Sequence, residues 1–143
     1  MSLLRERTEA RVRVLGLDHW GMPVRDLAES ERFYCGLLGM TIELRLPDQI
    51  LLRCGHQNMG IFHAPYMDKI NADLILNPLG KPHHAFLVEN DDFERFRFLF
   101  NENKVPTHGP IEWGDHQCCY FLDPSGNLLE LVNYGERDRA AYP

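Results

Sequence analysis

The sequence predicts an α+β fold built from two βαβββ modules, and three observations support this prediction. Sliding the 143-residue chain against itself by 65 residues lays Asp26 on Asp91 and Phe33 on Phe98. Each half contains a short apolar strand pattern, then an acidic residue that can cap an amphipathic helix, and then further short strand patterns. The hydrophobic content of 44% suits one domain, or two small halves that share a core.

In the first module, a strand pattern around His19 leads into a helix that Asp26 caps and Gly39 ends, with Glu29 placed to complete a capping box. The apolar face of this helix consists of Leu27, Phe33, Tyr34, Leu37 and Leu38. Three strands are expected to follow, over residues 40–46, 50–54 and 59–64.

In the second module, a strand pattern over residues 82–87 precedes a helix capped by Asp91 or Asp92 and ended by Pro106. The apolar face of this helix consists of Phe93, Phe96, Leu99 and Phe100. The last two strands are expected over residues 118–122 and 128–133, joined by a tight loop over residues 123–127 that contains Pro, Gly and Asn.

These patterns divide the chain into five segments. The expected divisions are an N-terminal tail over residues 1–13, module 1 over 14–65, a connection over 66–81, module 2 over 82–134 and a C-terminal tail over 135–143. The connection is longer than most and contains several apolar residues, so we expect a lid or a short helix there.

The formal net charge of −6 argues against nucleic acid or an anionic membrane as partner, because both require clustered Lys and Arg. A small molecule is the expected partner. No apolar run reaches 18 residues and the charged start is unlike a signal peptide, so we expect a cytoplasmic protein. The four cysteines lack metal-binding spacing and are interpreted as reduced packing residues, with Cys118 and Cys119 on opposite faces of a strand.

His19, His84 and Glu130 form the candidate metal site. Each lies within a short apolar strand pattern, and the 65-residue shift places the two histidines at equivalent positions. Strand alternation then predicts that His84 shares the inner face with His19, while Ala85 and Leu87 lie on the face covered by a helix. Two imidazoles and one carboxylate form a facial triad that leaves coordination positions open.

An ordinary structural role is the competing interpretation of these three residues. Either histidine alone is more simply explained as a hydrogen-bonded strand residue, and Glu130 as a charge on an edge strand. A carboxylate in so apolar a strand is costly to bury unless a positive group neutralises it, so the three residues together favour a metal.

The repeat and the triad resemble the vicinal oxygen chelate superfamily over about residues 14–134. This superfamily contains glyoxalases, fosfomycin-resistance enzymes, antibiotic-binding proteins and extradiol dioxygenases. The resemblance implies that the two modules form a cup-shaped, partly open mixed-sheet barrel around a divalent metal.

Glyoxalase-like members use a fourth ligand, a carboxylate from the last strand of the first module. No Asp or Glu occurs between Gln49 and Met67, so this carboxylate is missing, although His63 could replace it and keep a glyoxalase or epimerase function open. Three open positions suit Fe(II), which must hold a chelating substrate beside O2; similar ligand sets also accept Mn(II), Zn(II) or Ni(II).

The run from Tyr120 to Glu130 is similar to the signature of catechol 2,3-dioxygenases, in which the tyrosine donates a hydrogen bond and the glutamate binds iron. This resemblance implies an oxidoreductase of aromatic catabolism that cleaves a catechol-like diol with O2. It also implies that His56 is the acid/base group and that His108 is a neighbouring catalytic histidine, a role for which His116 competes.

Two other kinds of function remain open. Fosfomycin-type transferases or hydrolases use a similar two-His, one-Glu site with Mn, and they need cations for a phosphonate, for which Arg45 and Arg53 are the main candidates. A non-enzymatic binding protein of the same fold needs no metal. Dioxygenases of this kind use two such domains, so a chain with one is expected to form a homodimer.

Overall fold

The computed structural model describes residues 12–135, which form two four-stranded sheets of identical topology. Sheet A contains, in the order β1-β4-β3-β2, the strands β1 (His19–Val24), β2 (Thr41–Leu46), β3 (Gln49–Cys54) and β4 (Gln57–His63). Sheet B contains, in the order β5-β8-β7-β6, the strands β5 (His84–Leu87), β6 (Thr107–Glu112), β7 (Gln117–Leu122) and β8 (Leu128–Asn133). In each sheet the first strand runs parallel to the last and the other pairs are antiparallel.

The predicted α+β fold of two βαβββ modules is therefore confirmed. Within the described residues the two sheets are separate hydrogen-bonded units, so the barrel is open rather than closed.

Each module has one helix between its first two strands. Helix α1 spans Leu27–Glu31 and continues as a π-helical stretch over Arg32–Leu37, and the Oδ1 atom of Asp26 accepts a 2.7 Å hydrogen bond from the amide of Glu29, as predicted for the cap. Helix α2 spans Asn90–Glu102. The predicted cap of α2 was wrong, because Glu89 occupies the cap position while Asp91 and Asp92 lie in the first turn, where the helix dipole favours acidic side chains.

One hydrophobic core joins both modules and contains one face of each sheet together with both helices. Its members include Met22, Val24, Tyr34, Leu52, Ile61, Phe86, Phe93, Phe100, Phe121, Leu129 and Leu131. The face of each sheet that points away from this core is called its open face below. Cys119 belongs to the shared core and Cys118 to a second cluster on the open face of sheet B, which confirms that the two thiols lie on opposite faces; all four cysteines are free.

The connection between the modules contains a short 3-10 helix, Ala72–Leu76. Ile75 on this helix is buried in the open-face cluster of sheet B with Tyr120 and Leu122. A short helix, one of the two alternatives expected for this connection, therefore covers part of one open face.

The tight loop over residues 123–127 links the two modules. Tyr34 on α1 donates a 2.6 Å hydrogen bond to Oδ2 of Asp123, and Asn127 Nδ2 donates at 2.8 Å to the carbonyl of Pro23 at the end of β1. The backbone amide of Arg25 donates to Oγ of Ser125 at 2.9 Å. This loop therefore has a structural role in addition to closing a hairpin.

A single shift of 65 residues does not align all equivalent positions of the two modules. Phe86 is buried, at 8% exposure, while Leu87 on the next position is 50% exposed, so β5 matches β1 with a shift of 64 residues. The predicted equivalence of Phe33 and Phe98 is wrong, because Phe33 is buried and Phe98 is 63% exposed. The repeat is real in topology, but its strands and helices are offset differently.

Most of both predicted tails lies outside the described residues. Among residues 12–135, no helix is both long enough and apolar enough to cross a membrane.

Candidate functional site

His19 lies on the open face of sheet A, as predicted. Trp20, Met22 and Val24 face the core, so His19 and Gly21 point the other way. The Nδ1 atom of His19 lies 2.7 Å from Oδ2 of Asp18. Because a carboxylate only accepts, a neutral His19 carries its proton on Nδ1 and has the Nε2 lone pair free for a metal.

His84 does not lie on an open face, and the predicted placement of its strand was wrong. Its ring stacks on Trp20, with the ring centroids 5.4 Å apart and an interplanar angle of 19°, on the core side of both sheets. Burial lowers the pKa of His84, and the adjacent His83 lowers it further. The physical reason is the burial of Phe86, which requires every second residue of β5 to face the core.

His83 contacts the candidate carboxylate, although the strand alternation predicted for His84 would place His83 on the opposite face from the site. The Nε2 atom of His83 lies 3.1 Å from Oε2 of Glu130, whose side chain is 9% exposed. The Nδ1 atom of His83 lies 2.8 Å from the carbonyl oxygen of Lys81. A carbonyl can only accept a hydrogen bond, so this contact fixes the Nδ1 proton and leaves Nε2 directed at Glu130.

Glu130, Tyr120 and His108 form one row across the open face of sheet B. Glu130 is opposite Tyr120 in the β7–β8 pair, and Tyr120 is opposite His108 in the β6–β7 pair. The rings of His83 and Tyr120 are 5.8 Å apart, edge to face. Burial raises the pKa of Tyr120 to about 12, so its hydroxyl stays protonated and can donate a hydrogen bond.

The other histidines of the sequence analysis lie elsewhere. His56 is in the turn between β3 and β4, two residues before Asn58, which is the register partner of His19. His63 pairs with Val24, whose side chain belongs to the core face. His116 binds Asp115 through Nδ1 at 2.6 Å and has its ring 5.0 Å from that of Tyr134.

The candidate ligands do not converge within one chain. Trp20 and His84 meet on the core side of their sheets, so His19 and His83, which directly precede them in the chain, point in opposite directions. Among residues 12–135, no three His, Cys, Asp or Glu side chains are grouped closely enough to hold a metal ion. The single chain therefore carries two separate parts of the candidate site, His19 on sheet A and the pair of His83 and Glu130 on sheet B.

A surface cavity lies away from the candidate residues. A cavity of about 510 Å³ lies between α1, the end of α2 and the loop over residues 123–127, and none of the predicted site residues lines it. His19, His83 and Glu130 lie instead on the open faces, which a single chain leaves partly uncovered.

Sequence reasoning missed His83 and the orienting contacts of Asp18 and Lys81. A signal for His83 was present, because a 64-residue shift aligns the large apolar residues Met22 and Phe86. The 65-residue shift placed the small Ala85 on the core face in place of Phe86. The carbonyl of Lys81 carried no sequence signal, since any residue type supplies one.

Comparison with known proteins shows a consistent set of relatives. The chain is 29% identical over 119 residues to the glutathione transferase FosA of Serratia marcescens, covering 80% of this chain and 78% of that protein. It is 28% identical over 131 residues to the metallothiol transferase FosB of Staphylococcus epidermidis, covering 90% and 91% of the two chains.

The fold is similar to that of the fosfomycin resistance protein FosX of Listeria monocytogenes, with a TM-score of 0.70 and 17% identity over 85% of this chain and 94% of that one. A family profile described as Glyoxalase/Bleomycin resistance protein/Dioxygenase superfamily matches residues 16–131. These relatives carry transferase and resistance names and give no support to the expected dioxygenase activity, to iron or to a catechol substrate. The chain belongs to the Glyoxalase/Bleomycin resistance protein/Dioxygenase superfamily.

Proposed function

We propose that this protein is a metal-dependent thiol transferase of the fosfomycin-resistance type, and that its site is completed between the two chains of a homodimer. The relatives named as a glutathione transferase and a metallothiol transferase support the reaction type. The observation that carries the proposal is the contact between His83 Nε2 and Glu130 Oε2 at 3.1 Å.

This contact needs a cation or a proton. The Nδ1 proton of His83 is directed at the carbonyl of Lys81, so a neutral His83 presents a lone pair to the carboxylate of Glu130. Two lone pairs at this distance repel, and the side chain of Glu130 is mostly buried. His83 and Glu130 would together hold a divalent metal, whose charge would remove the repulsion, and a proton on Nε2 would compete with it.

The third ligand in this proposal is His19 of a second copy. Its Nε2 atom has no hydrogen-bond partner among residues 12–135, and Asp18 orients the ring from the other side. The Oδ1 atom of Asn58, in the same row of sheet A, is buried without a hydrogen-bond donor among the described residues. An unpaired buried acceptor beside His19 is consistent with a face that a ligand or a second chain covers.

The donor set of two imidazoles and one carboxylate suits Mn(II), Zn(II), Ni(II) or Fe(II). His19, His83 and Glu130 would hold this metal, which would supply Lewis-acid polarisation of a substrate oxygen. Asp18 and the carbonyl of Lys81 hold the two imidazoles in the tautomer that binds metal. Tyr120, protonated beside His83, donates a hydrogen bond to the same substrate oxygen as negative charge develops there.

The proposed reaction is the opening of an epoxide by a small thiol such as glutathione. The sulfur–carbon bond forms as the carbon–oxygen bond of the epoxide breaks, and the thiol proton ends on the former epoxide oxygen. His56 takes the proton from the thiol in this scheme, because it lies at the end of sheet A that carries His19 and Asn58.

Extradiol cleavage of a catechol with O2 is the second candidate. The row formed by Glu130, Tyr120 and His108 favours it, because Tyr120 and Glu130 match the signature of that family and His108 resembles its neighbouring catalytic histidine. Both functions use the same face of sheet B, so only turnover separates them.

The deciding experiment compares metals and substrates on one preparation. The metal-free protein is loaded with Mn(II) and incubated with glutathione and fosfomycin, and the adduct is detected by mass spectrometry. A parallel sample receives Fe(II) without oxygen, then a panel of substituted catechols in air. We expect a thiol adduct under Mn(II); a coloured ring-fission product with no thiol adduct would overturn the proposal in favour of the second candidate.

The ligand assignment has a matched control in the adjacent histidine. His83→Ala is expected to abolish metal binding, whereas His84→Phe preserves the stack on Trp20 and is expected to bind metal normally. Metal content after dialysis measures both. If His84→Phe loses metal and His83→Ala retains it, the assignment to His83 is wrong.

Complementation tests the placement of the site between chains. Co-expressed His19→Ala and His83→Ala chains form mixed dimers in which one of the two sites has all its ligands. We expect the mixture to recover about a quarter of the wild-type activity, since half of the dimers are mixed and each keeps one site of two. A mixture as inactive as each variant alone would place the whole site within a single chain.

A further inference from the structure

An aromatic side chain lies over two glycines on the open face of sheet A. In the parallel pair of β1 and β4, Gly21 is opposite Gly60 and Pro23 is opposite Phe62. A Cβ atom built on Gly21 would lie 3.0 Å from Cε2 of Phe62, and one built on Gly60 would lie 2.8 Å from the same atom. The ring therefore leans from its own row across the glycine row, towards the row of His19.

The two glycines are what permits this position of the ring. Real Cβ atoms essentially never approach another heavy atom more closely than 3.0 Å, so any side chain at Gly60 would displace the ring. Phe62 is still 37% exposed, because only one side of it rests on the backbone of the glycines. Within the part of the chain that the structure describes, the other side is an exposed aromatic surface on the face that carries His19.

The charges on this face do not favour an anionic substrate. Arg53 shares the row of His19 and Asn58, and its Nε atom is 2.5 Å from Oε1 of Glu43. Arg45, the other cation considered for a phosphonate, forms an ion pair with Glu31 at the end of α1. By the alternation of its strand, its side chain points away from the open face. Among the described residues, Arg53 is thus the candidate cation in the row of His19, and it is already paired with a carboxylate, while the surface formed by Phe62 is apolar.

We propose that Phe62 is a specificity-determining residue, and that it receives an aryl or other planar apolar group of the substrate beside His19. The preferred electrophile is then an aryl epoxide rather than one that carries a phosphonate. This inference rests on the proposed thiol transfer for its reaction, but not for the binding surface itself.

Two ligands that differ in one group test the binding surface without turnover. 1-Phenyl-1,2-ethanediol and 1,2-propanediol both present a vicinal diol, and only the first carries a ring. Titration of the Mn(II)-loaded protein by calorimetry gives both dissociation constants. We expect Phe62→Ala to weaken binding of the phenyl diol by about 10-fold, a loss typical of one aromatic contact, and to leave binding of propanediol unchanged.

Two further variants control this measurement. Phe98→Ala removes a phenylalanine that is 63% exposed on α2, away from the open face, and is expected to change neither constant. Phe62→Leu retains an apolar side chain and serves as the test if Phe62→Ala does not fold. It is expected to give an intermediate loss of affinity for the phenyl diol. Equal losses for the two diols, or no loss for the phenyl diol in either Phe62 variant, would overturn the inference.

Turnover separates this inference from the proposed function. With glutathione and Mn(II), we expect styrene oxide to be a better substrate than fosfomycin by kcat/KM, and Phe62→Ala to raise KM for styrene oxide alone. Phe62-dependent binding of the phenyl diol with no thiol adduct from any epoxide would refute the proposed function and leave the inference standing. Preference for fosfomycin in the wild-type protein, unchanged in Phe62→Ala, would refute the inference and leave the function standing.

Discussion

The hydrogen bond between Tyr34 and Asp123 joins the two modules, and its removal gives a stability change that can be worked out in advance. Tyr34 is fully buried, and its hydroxyl donates to Oδ2 of Asp123 at 2.6 Å. The carboxylate keeps three other donors, which are Asn127 Nδ2 at 2.8 Å and the amides of Ser125 and Asn127 at 2.9 and 2.8 Å. A hydrogen bond to a charged group contributes about 1.5–3 kcal/mol. Because three donors remain, we expect Tyr34→Phe to lower the free energy of unfolding by about 2 kcal/mol.

The loss of stability caused by Tyr34→Phe must also depend on pH. Burial raises the pKa of Asp123, and the hydrogen bond from Tyr34 offsets part of that rise. A raised pKa in the folded state means that the stability contributed by Asp123 is present below the pKa of the unfolded chain and is lost as pH rises through the folded pKa. Without the hydroxyl the folded pKa rises further, so the difference between variant and wild type grows with pH.

Urea unfolding at several pH values between 4 and 8 measures this difference. At pH 7 we expect the free energy of unfolding to fall by about 2 kcal/mol, or the melting temperature by roughly 4–8 °C. Tyr66→Phe is the control, because Tyr66 is 75% exposed. A loss under about 0.5 kcal/mol at pH 7, or a loss that grows as the pH falls, would refute the reasoning.

Three further predictions concern the site and its surroundings. Asp18→Asn should weaken metal binding roughly 10–100-fold in a chelator competition, because the aspartate orients a ligand, while Asp115→Asn, at the other Asp–His contact, should not. Tyr120→Phe should retain metal and lower kcat roughly 100-fold, since it removes one donor from the developing charge; loss of metal instead would make it structural. Burial raises the pKa of Cys118 to about 11, so iodoacetamide at pH 8 should label it only after unfolding, and labelling of the folded protein at the rate of the less buried Cys35 would contradict its placement.

The fold could be predicted from the sequence because its signals are local. The cap at Asp26, the alternation of Trp20, Met22 and Val24, and the loop residues between the last two strands each specify a conformation without reference to distant residues. The strand Leu128–Asn133 begins and ends at the predicted residues for the same reason.

The wrong prediction that His84 rather than His83 lies on the open face also has a simple physical cause. Alternation along a strand defines two faces but does not say which face is buried, and a shift of one residue exchanges them. In β5 the choice depends on whether Phe86 or Ala85 fills the space against Trp20, which is a matter of packing between modules. The ring of Phe86 buries more apolar surface than the methyl group of Ala85, so Phe86 faces the core. His84 therefore lies on the core side and His83 on the open face.

The sequence by itself determined the two modules, their helices and the strand positions of His19, Tyr120 and Glu130. Only the tertiary structure decided that His83 rather than His84 meets Glu130. It also decided that His19 points away from that pair, because the core faces of β1 and β5 meet through Trp20 and His84. Local patterns specify which side chains share a face, whereas the direction in which a face points depends on how two sheets pack, and that packing is a property of the whole chain.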